Sequence, residues 1–229
     1  MDDDRTAVDE KGWFTATREV QEAALTALLE EVAPFFSEAG GRGGVRNLLD
    51  LPGVRRFAAS AAVREVVEPV LGAGCFAVRG LLFDKTADAN WMVGWHQDVT
   101  IAAHPRRNVP GFGVWSQKAG VPHVQASAEV LEQMLSVRVH LDPCGPDNGP
   151  LRVLPGSHRE GRMGPAAVER WLAVARSEAC LAPRGAIVAF RPLLLHASSP
   201  ATCPHHRRVV HLEFAAGPLP GGLNWYWQV

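Results

Sequence analysis

An excess of charge of either sign is missing from this chain: 23 Lys and Arg stand against 24 Asp and Glu, a formal net charge of −1. The balance argues against a dedicated nucleic-acid binder, which carries a basic surplus, and against a polybasic membrane-surface protein. Neither nucleic acid nor membrane is therefore expected as a partner. No apolar run approaches the ~18 residues that announce a membrane-spanning helix. The first twelve residues, MDDDRTAVDEKG, are acidic and contain no apolar stretch, so they read as neither a secretory signal nor a mitochondrial presequence. The four cysteines, Cys75, Cys144, Cys180 and Cys203, include no CxxC pair. They are expected to be reduced thiols of a cytoplasmic protein, with no spacing that supports a zinc site. Internal repeats and low-complexity linkers are absent as well.

What is present suits one globular domain spanning residues 1–229. Hydrophobic residues make up 47% and charged residues 21%, and a chain of this length can bury a sizeable core. Residues 1–12 are expected to be a flexible tail. A helix is expected over Thr15–Phe36, where Val20, Ala24, Leu25, Leu28, Leu29 and Val32 recur at helical spacing. A flexible break at Gly40–Gly44 precedes a second helix from Pro52 to about Leu71, ended by Gly72 and Gly74. From Cys75 the pattern changes to short apolar or alternating runs: Cys75–Lys85, residues 92–101, Leu135–Leu141, Leu151–Leu154, Ala186–Phe190 and Val209–Phe214. Turn clusters separate them. That predicts a β sandwich or barrel with helices packed on one face. Gly161–Ser177 is expected to be a helical excursion with Val168, Trp171, Leu172 and Val174 as its apolar part. The stretch from His104 to Gln125 has no clear periodicity, and residues 102–125 are expected to form a lid loop over a site. Arg106 and Arg107 within it are candidate contacts for an anion.

One short motif carries chemistry. In Trp95-His96-Gln97-Asp98-Val99, positions two apart on a strand face the same way, so His96 and Asp98 can point into one cavity. A further histidine would complete the set of two imidazoles and one carboxylate that holds non-haem Fe(II). His196 is the best placed, since it follows the strand Ala186–Phe190. The same ligand set also permits a zinc hydrolase. Arg207 comes next, opening the alternating run Arg207-Arg208-Val209-Val210-His211-Leu212-Glu213-Phe214. An arginine there can grip a carboxylate with a bidentate fork. Arg208 should face the opposite side of its strand, and His211 shares Arg207's side. Lys85, Arg138 and His140 sit on neighbouring strands as candidate pocket residues. Asn148-Gly149 and Pro155-Gly156-Ser157-His158 read as structural turns, and His123 as an exposed loop histidine.

Taken in order, Phe83-Asp84-Lys85, His96-Gln97-Asp98, Asn148-Gly149-Pro150-Leu151, Leu154-Pro155-Gly156-Ser157-His158, His196-Ala197-Ser198 and Arg207-Arg208 resemble the phytanoyl-CoA dioxygenase family of Fe(II)/2-oxoglutarate-dependent oxygenases. The likeness spans about residues 75–215. It implies a mainly β fold with flanking helices around a double-stranded β-helix, the cupin-like jelly roll. It implies that His96, Asp98 and His196 bind Fe(II) and that Arg207 anchors 2-oxoglutarate, with Lys85, Arg138 and His140 as further co-substrate contacts. The implied reaction uses O2 to oxidise a C–H bond of a small organic substrate, while 2-oxoglutarate becomes succinate and CO2. A carboxylate at position 98 favours hydroxylation over halogenation. The alternative is a cupin-like metal-binding module or sensor without oxidative turnover. The sequence leaves the substrate and the oligomeric state open.

Overall fold

The computed structural model describes residues 2–36 and 44–229. Strands β1 (Trp13–Thr15), β10 (Ile187–Phe190), β7 (Met134–His140), β12 (Arg207–Ala215) and β2 (Phe76–Lys85) form a five-stranded antiparallel sheet in that order. A second sheet runs β3 (Val93–His96), β11 (His196–Ser198), β8 (Leu151–Val153) and β9 (Glu178–Cys180). The third consists of β13 (Asn224–Trp225), β4 (Thr100–His104), β6 (Val121–Gln125) and β5 (Trp115–Lys118). Among the described residues the α-helices with full bounds are α1 (Asp2–Lys11), α2 (Glu22–Val32), α3 (Pro52–Ala58), α4 (Ala61–Leu71), α5 (Ala128–Glu132) and α6 (Pro165–Val174). This is a mainly antiparallel β architecture with flanking helices, the double-stranded β-helix that the family resemblance implied. Among the described residues no helix is long and apolar enough to cross a membrane.

The five-stranded sheet has two unlike faces, and strand alternation decides which residue goes where. Leu82, Val137, Val139, Val210, Leu212 and Phe214 turn outward and are buried against Leu25, Leu28, Val54, Phe57, Val63 and Val67 of α2, α3 and α4. Burying each such side chain stabilises the fold by about 1.5–3 kcal/mol. This layer is the main apolar core. On the other face, Val188 and Phe190 of β10 pack with Leu151, Val153 and Cys180 of the second sheet. Beside Leu81, Phe83 and Val209, the rest of that inward face carries Arg79, Lys85, Ser136, Arg138, His140, Arg207, His211 and Glu213, and it builds the site.

Several expectations change. The tail expected over residues 1–12 is, from residue 2 on, not loose: Asp2–Lys11 is helical and Val8 is completely buried. Tertiary contacts hold α1 where its polar composition gives no periodic signal, since the Arg159 Nε and Nη2 donate to the Asp9 carbonyl at 3.1 and 3.0 Å. The helix expected from Thr15 begins only at Glu22, because Trp13–Thr15 pairs with β10 instead. The second expected helix is interrupted between Ala58 and Ala61. The break at Gly40–Gly44 lies, except for Gly44, outside the described residues. The excursion at 161–177 is helical over Pro165–Val174, yet Val174 is 83% exposed and no residue of it is fully buried. Residues 102–125 are not a structureless loop, because β4, β5 and β6 pair into a sheet. Trp225 and Trp227 pack back on the body, their indole N–H groups donating to the Gly217 carbonyl and the Asp50 carboxylate, each at 2.8 Å.

Candidate functional site

The ladder of β2, β12 and β7 sets the inward face in tiers. Arg207 lies opposite Lys85, Val209 opposite Phe83 and His140, His211 opposite Leu81 and Arg138, and Glu213 opposite Arg79 and Ser136. The second sheet adds His96 and His196, which face one another across the β3–β11 pair. Between these walls lies a cavity of about 270 Å³ lined by His96, Asp98, His196, Lys85, Arg138, Arg207 and others.

Ligand atoms of His96, Asp98 and His196 lie within 4.8 Å of one another. The His96 Nε2 is 3.7 Å from Asp98 Oδ1, and the His196 Nε2 is 3.5 Å from Asp98 Oδ2. Each ring is held by its other nitrogen. The His96 Nδ1 meets the Gly94 carbonyl at 2.8 Å, and the His196 Nδ1 meets the Leu194 carbonyl at 2.8 Å. A carbonyl can only accept, so both Nδ1 atoms carry the proton and both Nε2 lone pairs face the cavity. Burial holds His196 down at about 4, which keeps its Nε2 free of a proton. Burial would raise the Asp98 carboxyl, but the nearby His196 and His96 keep it well below the usual carboxylate range. The donor set is therefore ready for a divalent cation.

Asp98 reaches this position by leaving the strand. The run 92–101 is not one strand but β3 and β4, parted at Gln97–Val99. There the Asp98 N–H donates to the Pro192 carbonyl at 2.9 Å. The Gln97 side chain fixes the break, its Nε2 donating to the carbonyls of Gly161 and Leu193 at 2.8 and 2.6 Å and its Oε1 accepting from Met163 N–H at 2.8 Å. Strand parity thus predicts the convergence of His96 and Asp98 for a reason the backbone does not follow. His196 is positioned by the turn before it: the Ser157 hydroxyl accepts the Leu195 N–H at 2.8 Å, and Leu154 N–H donates to the Leu195 carbonyl at 2.9 Å.

A second set of atoms, from Asp98, His211 and Glu213, also lies within 4.8 Å. Glu213 is the charge partner of Arg79, however, and both are buried. That pairing neutralises the carboxylate a second cation would need.

Farther along the ladder, three buried cations crowd together. Arg207 is 3% exposed and Lys85 fully buried. The Lys85 Nζ donates to Ser198 Oγ at 2.8 Å and to the Ser199 carbonyl, while Arg207 Nη1 donates to the Gly149 carbonyl. Arg138 lies over the Phe83 ring at 5.4 Å. Neither Arg138 Nε nor Arg207 Nε has a hydrogen-bond partner, and neither guanidinium is paired with a carboxylate among the described residues. Burial, then the charges of Arg207 and Arg138, push the Lys85 ammonium down to about 7. Such a cluster is costly unless an anion enters it.

Other sequence candidates fall into place around this centre. Arg208 faces away, bound to Asp142 through two hydrogen bonds of 2.7 and 2.6 Å. His140 shares the inward face and is buried, but it does not line the cavity. His211 lines it, as does Trp91. His123 is buried rather than exposed, with its Nδ1 at 3.0 Å from the Val121 carbonyl. His158, His205 and His206 stay outside the metal set: His205 contacts Asn148 at 3.0 Å and His206 contacts Asp84 at 2.8 Å. Gly149 does more than make a turn, since its carbonyl accepts from both Arg207 and the Ser198 hydroxyl. Arg46, Arg79 and Lys118 also line the cavity. Sequence reasoning singled out none of them.

Residues 12–209 match the phytanoyl-CoA dioxygenase (PhyH) family. The chain belongs to that family. Membership places it among the non-haem oxygenases whose cofactors are Fe(II), 2-oxoglutarate and O2, enzymes that act on small molecules. No curated protein gives a sequence match. Among solved structures, EctD from S. alaskensis with bound Fe is 18% identical, with a TM-score of 0.71 over 94% of this chain and 76% of that one. SnoK, a non-haem alpha-ketoglutarate-dependent carbocyclase from nogalamycin biosynthesis, is 14% identical, with a TM-score of 0.71 over 94% and 83%. EvdMO1 is 19% identical with a TM-score of 0.70, and this chain, 95% covered, spans only 50% of it. At such identities the likeness concerns the fold.

Proposed function

We propose that this PhyH-family protein is an Fe(II)/2-oxoglutarate-dependent dioxygenase that hydroxylates, or otherwise oxidises at a C–H bond, a small organic substrate, with 2-oxoglutarate converted to succinate and CO2. One observation carries the reading. Two imidazoles with their Nε2 lone pairs aimed inward and one carboxylate share a cavity with a buried guanidinium that lacks an anionic partner.

His96, Asp98 and His196 would hold the iron, which suits two nitrogens and one carboxylate and leaves positions open for other ligands. When bound, iron with 2-oxoglutarate supplies the oxidising power. Everything else is the work of the chain. Arg207 would take the far carboxylate of the 2-oxo acid in a bidentate fork, which its unpartnered Nε supports. Lys85 and Arg138 would add charge beside it. Phe190, with its ring centroid 5.0 Å from that of His196, gives the metal side an apolar wall that keeps water out. The carbonyls of Gly94 and Leu194 keep the imidazoles in the ligand tautomer.

Anaerobic titration of the metal-free protein with ferrous iron and then 2-oxoglutarate tests this. The weak visible charge-transfer band of an iron-chelated 2-oxo acid is expected, and it is lost in His196→Ala. In Arg207→Ala iron binding persists while the band needs much more 2-oxoglutarate. Tight iron binding without a band in the wild type would instead favour a metal-binding module without oxidative turnover.

A further inference from the structure

The cavity holds more positive charge than one dicarboxylate accounts for. Its cations fall into two groups. Lys85, Arg138 and Arg207 form the first, around Gly149 and Ser198. Arg46, Arg79 and Lys118 form the second: Arg79 Nη1 donates to the Thr100 carbonyl at 2.9 Å, Lys118 Nζ donates to the Thr100 hydroxyl at 2.9 Å, and Arg46 lines the same cavity within reach of the Arg79 charge. Arg46 and Lys118 are both pushed down by burial and then by the charge of Arg79. On the shared ladder Lys85 faces Arg207, whereas Arg79 faces Glu213, six residues farther along β12. At about 3.3 Å per residue the two groups start roughly 20 Å apart along the strands. Asp98 precedes Thr100 by two residues, so the metal set lies beside the second group as well.

Within the second group the charges do not cancel. Glu213 neutralises Arg79. Arg46 and Lys118 are half-buried, line the cavity, and form no ion pair among the described residues; Glu213 acts on both, and Asp98 on Lys118, only from beyond contact, and less than burial and the charge of Arg79 do. A planar fork and a compact ammonium, partly stripped of water and left unpaired, are what an oxyanion requires and what an apolar or cationic molecule would avoid. Arg106 and Arg107, which the sequence offers as anion contacts, are engaged elsewhere with the carbonyls of Ser116 and Gly221, each at 3.3 Å.

Building on the proposed function, we infer that Arg46 and Lys118 bind an anionic group of the primary substrate, making that substrate a small organic acid whose carboxylate or phosphate sits across the metal set from the co-substrate. The cavity of about 270 Å³ must also admit the 2-oxo acid, which limits the part of the substrate inside it to a small one.

The test uses wild type, Arg46→Gln, Lys118→Gln and the double variant, each loaded anaerobically with ferrous iron and 2-oxoglutarate. Calorimetric titrations use butyrate, inorganic phosphate and neutral butyramide. Wild type is expected to bind at least one of the two anions and to ignore butyramide. Each single variant loses roughly tenfold in anion affinity and the double variant more, while 2-oxoglutarate affinity stays within about twofold. A preference for butyrate or for phosphate tells a carboxylic from a phosphoryl substrate. The inference is overturned if wild type binds neither anion, or if the double variant binds them as wild type does. It is overturned equally if the double variant loses 2-oxoglutarate as Arg207→Met does, because the group would then be the co-substrate's anchor. Should iron or 2-oxoglutarate fail to bind at all, the proposed function falls, and the same anions are titrated into metal-free protein. Binding that depends on Arg46 and Lys118 but not on Arg207 then keeps the anion site, and any other pattern removes it.

Discussion

Arg207→Met separates stability from co-substrate binding, because the same charge acts on them in opposite directions. In the ligand-free protein Arg207 is a buried cation with an unpartnered Nε, beside two more cations and without an ion-pair partner among the described residues. Methionine has a similar length, no charge and a flexible fit. Its introduction leaves no orphan behind, because the Gly149 carbonyl keeps the Ser198 hydroxyl as donor at 3.0 Å. Replacing buried charge by hydrocarbon is neutral to stabilising, by about 1–2 kcal/mol here, and for a chain of this size that raises Tm by roughly 2–8 °C. Removing one partner of a buried charge pair costs about 2–5 kcal/mol of binding, or roughly 30-fold to several thousand-fold in Kd. Lys85 and Arg138 remain in the cavity, which places the expected loss near the lower end, about 30–100-fold. Thermal unfolding of ligand-free protein and anaerobic titration of the ferrous protein with 2-oxoglutarate measure the two quantities. A lower Tm with unchanged 2-oxoglutarate affinity would show Arg207 to be a structural residue and refute the assignment.

Three further expectations follow from the same geometry. Lys85 is held at about 7 by burial and its cationic neighbours, against an ordinary value of 10.5. Between those values the unfolded chain holds more protons than the folded one, so this group's contribution makes ligand-free stability rise as pH climbs from about 7 toward 10, and its penalty is fully present below 7. A carboxylate placed beside it restores the proton, so 2-oxoglutarate binding at pH 8 should take up protons, read by calorimetry in buffers of different ionisation enthalpy. Absence of uptake in wild type, or the same uptake in Lys85→Met, would remove Lys85 from the co-substrate's neighbourhood. Asp98→Asn keeps the side chain's shape but removes its charge, and ferrous affinity should fall by more than the ~10–100-fold that follows loss of a supporting partner; a smaller change measured by competition with a chelator would shift the metal elsewhere. Gly149→Ala forces a Cβ to within 2.6 Å of the Ser199 carbonyl at a residue with φ of +59°, a conformation that costs a side chain about 1–3 kcal/mol, so Tm drops and 2-oxoglutarate binds more weakly as the carbonyl under Arg207 moves; an unchanged Tm would contradict the turn geometry.

Alternation along the chain was enough to determine much of this protein. The period-2 pattern of Arg207–Phe214 separates Arg207 and His211 from Arg208, and the structure sends the first two into the cavity and Arg208 to Asp142. The strands at 135–141 and 209–214 were legible for the same reason, and those at 75–85 and 186–190 as short apolar runs. The motif order from His96 to Arg207 carried the family. Tertiary structure decided what depends on partners distant in sequence. Helix α1 has no apolar period and stands because Val8 and Asp9 find contacts supplied much later in the chain. Asp98 reaches the metal set through a backbone break fixed by Gln97, Pro192 and Met163, where strand parity alone had implied a continuous strand. His123 is buried because β4 and β5 flank it, a pairing its own segment does not announce. The gathering of Arg46, Arg79 and Lys118 along one cavity was invisible in the sequence. Cations scattered along a chain look solvated until folding removes the water between them and leaves their charge without a partner.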